Sequence, residues 1–155
     1  MQMQTPNVRD LLLLGGGHSH VQVLKHFAMR PVPGVRLTLI SDDYVSPYSG
    51  MVPGYIAGHY SLDEIQIALE PLCRRAGARF ICAKVTGLDR DSRLVLMAGR
   101  PALRYDVLSI NIGAQPDLQG MPGTAVKPIS GFLSQWPTLL ATMQSQLATD
   151  SSSSG

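Results

Sequence analysis

A run of four leucines that ends abruptly in three glycines restricts the fold of this 155-residue chain more than any other feature. Leu11–Leu14 predicts a short strand buried on both faces, although four leucines alone could equally be helical. After Gly15–Gly17, apolar residues recur at helical spacing over His18–Arg30, and prolines end that helix. Val35–Ile40 alternates like a second strand. The sequence therefore predicts a strand–turn–helix–strand unit with a parallel sheet.

The glycine turn carries the first functional signal. Gly15 and Gly17 take the first two positions of the G-x-G-x-x-G pattern, with Gly16 between them. In this pattern the first glycine permits a tight turn, and the second lets the backbone approach a pyrophosphate at the helix N-terminus. His18 and Ser19 open that helix, and His20 replaces the third glycine, so we expect a local shift there. The alternative is a glycine turn that binds nothing.

The end of the second predicted strand is where such folds place a residue that binds ribose. Ser41 is the last strand residue and Asp42 follows it, so either side chain is a candidate. The alternative for Asp42 is a solvated turn residue. No arginine follows immediately to hold a 2′-phosphate.

The rest of the chain divides into shorter elements. Residues 43–60 form a Pro/Gly-rich loop with four of the five tyrosines, which favours an ordered loop. A capping box at residues 61–64 predicts a short turn, and a helix follows from Pro71 to Gly77. Four further strands, read as an antiparallel meander, and a final amphipathic helix are predicted at Arg79–Val85, Gly87–Asp89, Leu94–Met97, Tyr105–Ile110 and Phe132–Leu147.

The last of these strands runs from Tyr105 into Asn111, Ile112 and Gly113. This arrangement resembles the second flavin-site motif of two-dinucleotide flavoproteins, with Asn-Ile-Gly in place of the more usual Ala-Thr-Gly. With the first glycines and the segments at residues 47–54 and 122–129, the chain resembles an NADH dehydrogenase-like flavoprotein of the pyridine nucleotide–disulfide oxidoreductase superfamily. The closest resemblance is to the module fused ahead of selenide, water dikinase.

This resemblance implies a Rossmann-like α/β domain that binds FAD, with a parallel sheet and an inserted antiparallel meander. Gly15–Gly17, with His18 and Ser19, would hold the pyrophosphate. Pro53 would lie in a loop directed toward the flavin ring, and Val85 would meet the adenine through its backbone. Asn111 and Gly113 would pass close to the nucleotide. The implied activity is an NAD(P)H-dependent flavoprotein oxidoreductase of unknown electron acceptor, with no catalytic side chain.

Length separates the chain from that family, whose members have two dinucleotide folds and about 300 residues or more. The chain stops where a second glycine fingerprint would begin, so we expect a truncated form whose NAD-binding or kinase module is missing. We expect an extension over residues 1–10, the FAD-binding domain over 11–117, a linker and helix over 118–147, and a flexible tail over 148–155. The alternative is a non-catalytic nucleotide-binding or interaction module.

Other classes of protein fit poorly. Charged residues make up only 15% of the chain, with a net charge of +2, which argues against nucleic-acid binding. Cys73 and Cys82 are too far apart for a Cys-x-x-Cys pair, so neither a dithiol reductase nor a zinc site is expected. His18 and His20 lack a third metal ligand nearby. Neither Tyr-x-x-x-Lys nor a P-loop occurs, and no apolar run could span a membrane, so a cytoplasmic location is expected.

Overall fold

The computed structural model describes residues 8–114 and 123–152, with side chains up to Ala148. The chain divides at Gly113 into two compact units. The elements of the first unit are β1 (Arg9–Leu14), α1 (His18–Met29), β2 (Val35–Ser41), β3 (Val45–Pro47), α2 (Val52–Ile56), β4 (Gln66–Ala68), α3 (Leu69–Arg75), β5 (Arg79–Cys82), β6 (Val85–Asp89), β7 (Leu94–Met97), β8 (Arg100–Arg104) and β9 (Val107–Ile110). Two 3-10 turns, Ser49–Met51 and Asp63–Ile65, lie between them.

A four-stranded parallel sheet, in the order β5-β2-β1-β9, forms the centre of this unit. β1 has a partner on each side, which explains the uninterrupted leucines, since a central parallel strand is covered on both faces. Leu13 faces the helices, where it clusters with Val21 and Leu24 of α1 and with buried residues of β2 and α3. Leu12 and Leu14 face the other way, toward the meander. The predicted Rossmann-like α/β fold with its parallel sheet is confirmed.

The meander is also present, but its strands differ from those predicted. β6, β7 and β8 form the antiparallel sheet, whereas β5 and β9 pair in parallel with β2 and β1. The predicted strand over residues 79–85 is two strands, because the chain leaves the parallel sheet after Cys82 and joins the meander at Val85. β8 was missed because Gly99 and Pro101 suggested a turn. Proline is tolerated there because β8 lies at the sheet edge.

The segment between β2 and β5 contains more secondary structure than predicted. The loop over residues 43–60 holds β3, a 3-10 turn and α2, and β3 pairs with the unpredicted strand β4. α3 begins at Leu69 rather than at Pro71, which lies in the first turn, where proline costs no hydrogen bond. The predicted capping box does form: the Ser61 N–H donates to Glu64 Oε2 at 2.8 Å, and the Glu64 N–H donates to Ser61 Oγ at 3.4 Å.

The second unit contains α4 (Ile129–Ser152), which is longer at both ends than the predicted helix over 132–147. α4 continues through residues 148–152, a segment in which the sequence did not predict a helix. Among the side chains of α4 up to Ala148, Phe132 and Leu133 are the most buried. The predicted boundary at residues 117–118, most of the N-terminal extension and the last three residues lie outside the described part of the chain.

Candidate functional site

The turn between β1 and α1 lies at the carboxyl end of the central strand, and its geometry requires glycine. Gly15 has a φ of +88°, and its N–H donates to the Ile40 carbonyl oxygen at 2.7 Å. A Cβ on Gly15 would overlap the carbonyl oxygen of Asn111 and lie 2.9 Å from the Ile112 Cα. The first glycine is thus needed both for its positive φ and for close packing against the end of β9.

Gly17 packs against the same residue. Its N–H donates to the Asn111 carbonyl oxygen at 3.3 Å, and a Cβ there would overlap Asn111 Oδ1 and lie 2.7 Å from the carbonyl oxygen. Its φ of −62° suits any residue, so packing alone demands glycine. A Cβ on Gly16 would lie 2.5 Å from Leu69 Cδ1. The three glycines therefore join β1 to β9 and α3.

The first turn of α1 is open to a ligand. Gly17 is the N-cap, no side chain caps the helix, and the first turn contains no acidic residue. His18 and Ser19, which open the helix, are exposed. The first N–H groups of a helix have no acceptor within the helix, and their partial positive charge favours an anion. The site therefore fits a phosphate or pyrophosphate group.

His20 takes the place of the third glycine and acts in a way that the sequence pattern does not reveal. Its side chain is 1% exposed, with Nδ1 2.7 Å from the Gly15 carbonyl oxygen and Nε2 2.9 Å from Ser109 Oγ. Since a carbonyl oxygen only accepts, Nδ1 carries the proton, and the Ser109 hydroxyl donates to Nε2. Burial lowers the pKa of His20, which favours this neutral tautomer. The imidazole thus links the glycine turn to β9.

The two candidate ribose ligands at the end of β2 differ in their exposure to solvent. Ser41 is buried, 5% exposed, and its Oγ accepts a hydrogen bond from the Asp43 N–H at 3.3 Å. Asp42 is exposed, while its carbonyl oxygen lies 3.6 Å from the Cys82 thiol. Asp42 is therefore the residue of the pair that can reach a hydroxyl group in solvent, and Ser41 shapes the turn.

The structure brings together some of the predicted residues. The glycine turn, Ser41 and Asn111 follow adjacent parallel strands, the carboxyl edge at which open α/β sheets bind ligands. Gly113, with a φ of +78°, is exposed and has open space around its Cα. Pro53 is exposed in α2, and Val85 is half-buried in β6, opposite Met97. Neither Pro53 in α2 nor Val85 in the antiparallel sheet lies at the end of a parallel strand, whereas Gly113 comes two residues after Asn111.

Tyr48 was not among the predicted site residues, yet it reaches the start of α1. The centroids of its ring and the His18 imidazole lie 5.1 Å apart, with the two rings tilted by 32°. Two features of the sequence drew attention to this segment: the concentration of tyrosines in residues 43–60, and the resemblance of residues 47–54 to a loop directed toward the flavin ring. This contact places the aromatic segment beside the open helix N-terminus.

The described part of the chain was searched for groups of metal ligands and for helices that could span a membrane. Across residues 8–114 and 123–152, no three His, Cys, Asp or Glu side chains are grouped to hold a metal ion. The imidazole of His20 already makes two hydrogen bonds. Within the same ranges no helix has the length and apolar character needed to cross a bilayer.

Comparison with known proteins gives a partial match. No family model matches the sequence. Over 108 residues the chain is 27% identical to the sulfide-quinone reductase of Aquifex aeolicus strain VF5, and the match covers 68% of this chain and 24% of that protein. The chain thus spans about a quarter of the length of the curated relative.

Solved structures agree on the fold. The sulfide:quinone oxidoreductase of Aquifex aeolicus superposes with a TM-score of 0.73 at 21% identity, covering 88% of this chain and 33% of that one. The NADH:rubredoxin oxidoreductase of Clostridium acetobutylicum gives 0.56 at 21% identity, covering 71% and 29%. The water-forming NADH oxidase of Lactobacillus brevis gives 0.60 at 18% identity, covering 77% and 28%. These neighbours are two oxidoreductases and an NADH oxidase, and this chain shares their Rossmann-like fold.

Proposed function

We propose that this chain is the FAD-binding portion of an NAD(P)H-dependent flavoprotein oxidoreductase. The observation that carries the proposal is the uncapped N-terminus of α1, which lies at the carboxyl edge of the parallel sheet without an acidic residue in its first turn. An anion at this point would receive both N–H donors and the favourable end of the helix dipole. Gly15–Gly17, His18 and Ser19 would hold the pyrophosphate.

The remaining cofactor contacts follow from this placement. Asp42 would bind the ribose, because Ser41 is buried and hydrogen-bonded locally. By the family resemblance, Val85 would meet the adenine through its backbone, and Pro53 would lie in a loop directed toward the flavin ring. Asn111 and Gly113 would pass close to the nucleotide. FAD, when bound, supplies the redox chemistry by accepting hydride from NAD(P)H and passing electrons on. The protein's part is to bind and orient it.

The comparisons support the class of reaction but not the acceptor. The neighbours include a quinone reductase, a rubredoxin oxidoreductase and a water-forming NADH oxidase, so the electron acceptor varies among chains of this fold. The chain spans a third or less of the neighbours' own length, so the full activity is part of the proposal. The resemblance to the module ahead of selenide, water dikinase and the cytoplasmic location remain predictions.

Flavin retention by the purified chain tests the proposal. The protein is incubated with FAD, desalted and examined by absorbance, and we expect retained yellow flavin. Ser19→Glu is the informative variant, because a carboxylate in the first turn stabilises a helix but repels a pyrophosphate. We expect Ser19→Glu to bind FAD at least about tenfold more weakly, which is a loss of about 1.4 kcal/mol.

Arg90→Gln is the matched control, since it also lowers the net charge by one and lies in the turn between β6 and β7. It should bind FAD like the wild type. Equal affinity in Ser19→Glu would show that the pyrophosphate site is elsewhere. A wild-type protein that stays colourless but binds ADP by calorimetry would favour the alternative, a nucleotide-binding module without turnover.

A further inference from the structure

We propose that the groove between α1 and α3 is a second ligand site, which binds a small amphipathic carboxylate. The groove has a volume of about 550 Å³ and is also lined by the 3-10 turns and β4. This volume lies within the range of small-molecule pockets, about 300–1,000 Å³. The groove lies wholly within the first unit, and at one end it reaches the start of α1, where His18 and Tyr48 also line it. The apolar and charged groups that would hold the carboxylate are other residues, which do not belong to the proposed flavin site.

The floor of the groove is apolar. Val21 and Ile65 are buried at its base, at 3% and 0% exposed. Leu72 of α3 and the flexible side chains of Met29 and Met51 complete the apolar lining. Met29 is 73% exposed, so the groove opens to solvent on this side. An alkyl chain or a small aromatic body could therefore enter and displace water from apolar surface.

The polar groups of the groove favour an anion. Lys25 of α1 and Arg75 of α3 both line it, and neither has an ion-pair partner among the described residues. The one carboxylate in the lining, Glu64, accepts hydrogen bonds from the Ser61 N–H at 2.8 Å and the Ser61 hydroxyl at 2.9 Å. These bonds lower the pKa of Glu64, so it stays charged but is already engaged. Two unpaired cations remain for a ligand.

Together these features describe the ligand. The apolar base would take the hydrocarbon body, and the two cations would hold a carboxylate that a guanidinium can bind through two hydrogen bonds. An uncharged molecule of the same size would gain only the apolar contact. The preference for a charged head group over an uncharged one is thus the signature that separates this site from a general hydrophobic surface.

Methyl NMR of the methionines gives a direct test with decanoate and 1-decanol as probes. We expect decanoate to shift the methyl signals of Met29 and Met51, which line the groove, and to leave Met97 and Met143 unchanged. Decanol should bind at least tenfold more weakly. Ala28→Trp, which fills the groove, should abolish the shifts for both probes.

The charge requirement is tested by the double variant Lys25→Gln/Arg75→Gln, with Lys84→Gln/Arg90→Gln as a control of equal charge change. The Lys25→Gln/Arg75→Gln variant should bind decanoate at least tenfold more weakly and decanol as tightly as the wild type. The control variant should bind both probes like the wild type. The proposal is overturned if the Met29 and Met51 signals do not move, if decanol binds as tightly as decanoate, or if the control variant loses decanoate equally.

Discussion

His20 should make the stability of this protein sensitive to mild acid. Its imidazole is buried and neutral, donating to the Gly15 carbonyl oxygen and accepting from the Ser109 hydroxyl. Burial lowers its pKa in the folded chain, whereas histidine in an unfolded chain titrates near 6.5. Below about pH 6.5 the unfolded state therefore binds a proton that the folded state does not. Stability is complete above that pH and falls as the pH drops toward the folded pKa.

The size of the effect follows from proton counting. One proton taken up only on unfolding lowers the free energy of unfolding by at most about 1.4 kcal/mol per pH unit. Once the pH is below the folded pKa, both states carry the proton and this contribution levels off. Replacement of His20 by Gln removes the titrating group, and it disrupts two buried hydrogen bonds at a cost of about 1–3 kcal/mol at neutral pH.

Urea unfolding at pH 7.5, 6.5 and 5.5 measures both quantities. The wild type should lose stability across this range, while His20→Gln should start lower and change little with pH. His26→Gln, on the exposed side of the same helix, should keep the wild-type pH dependence. The reasoning fails if His20→Gln shows the wild-type slope, or if the slope disappears in His26→Gln.

Two further predictions concern the buried side chains of Thr38 and Cys73. Thr38 Oγ1 is buried and has no hydrogen-bond partner among the described residues. Thr38→Val should therefore raise the free energy of unfolding by about 1 kcal/mol in urea titrations, and a destabilised variant would contradict this. Burial raises the pKa of Cys73 to about 11, so iodoacetamide at pH 8 should label the half-buried Cys82 well before Cys73. Equal labelling by mass spectrometry would be the contrary result.

The local order of elements could be predicted because its signals are local. The leucine run, the glycines and the helical spacing that follows fixed β1, the turn and α1. The pairing of β9 with β1 could not be predicted, because a strand does not carry a local mark that tells a parallel sheet from a meander. β8 was not predicted, because the glycine and proline at Gly99–Pro101 are typical of a turn but are also tolerated in an edge strand.

In the candidate site, too, some features were visible in the sequence and others are visible only in the structure. Glycines at positions 15 and 17 were recognisable from their spacing, but the structure explains them by packing against Asn111, a contact between distant parts of the chain. Ser41 is buried and pairs with Cys82 of β5, a residue distant in sequence, which leaves Asp42 as the exposed acid. His20 departs from the glycine pattern, and only the positions of Gly15 and Ser109 show what it does.

The position of β9 in the sheet also has a consequence for how the chain is made. β1 lies between β2, which follows it closely, and β9, which is synthesised much later: Asp10 and Asp106, hydrogen-bonded at this junction, are 96 residues apart. At about 5–20 residues per second, a ribosome needs roughly 5–20 s to make that stretch. Throughout this interval one edge of Leu11–Leu14 has no partner. Such delayed strand pairing slows folding and leaves an apolar edge exposed to aggregation until β9 has been made.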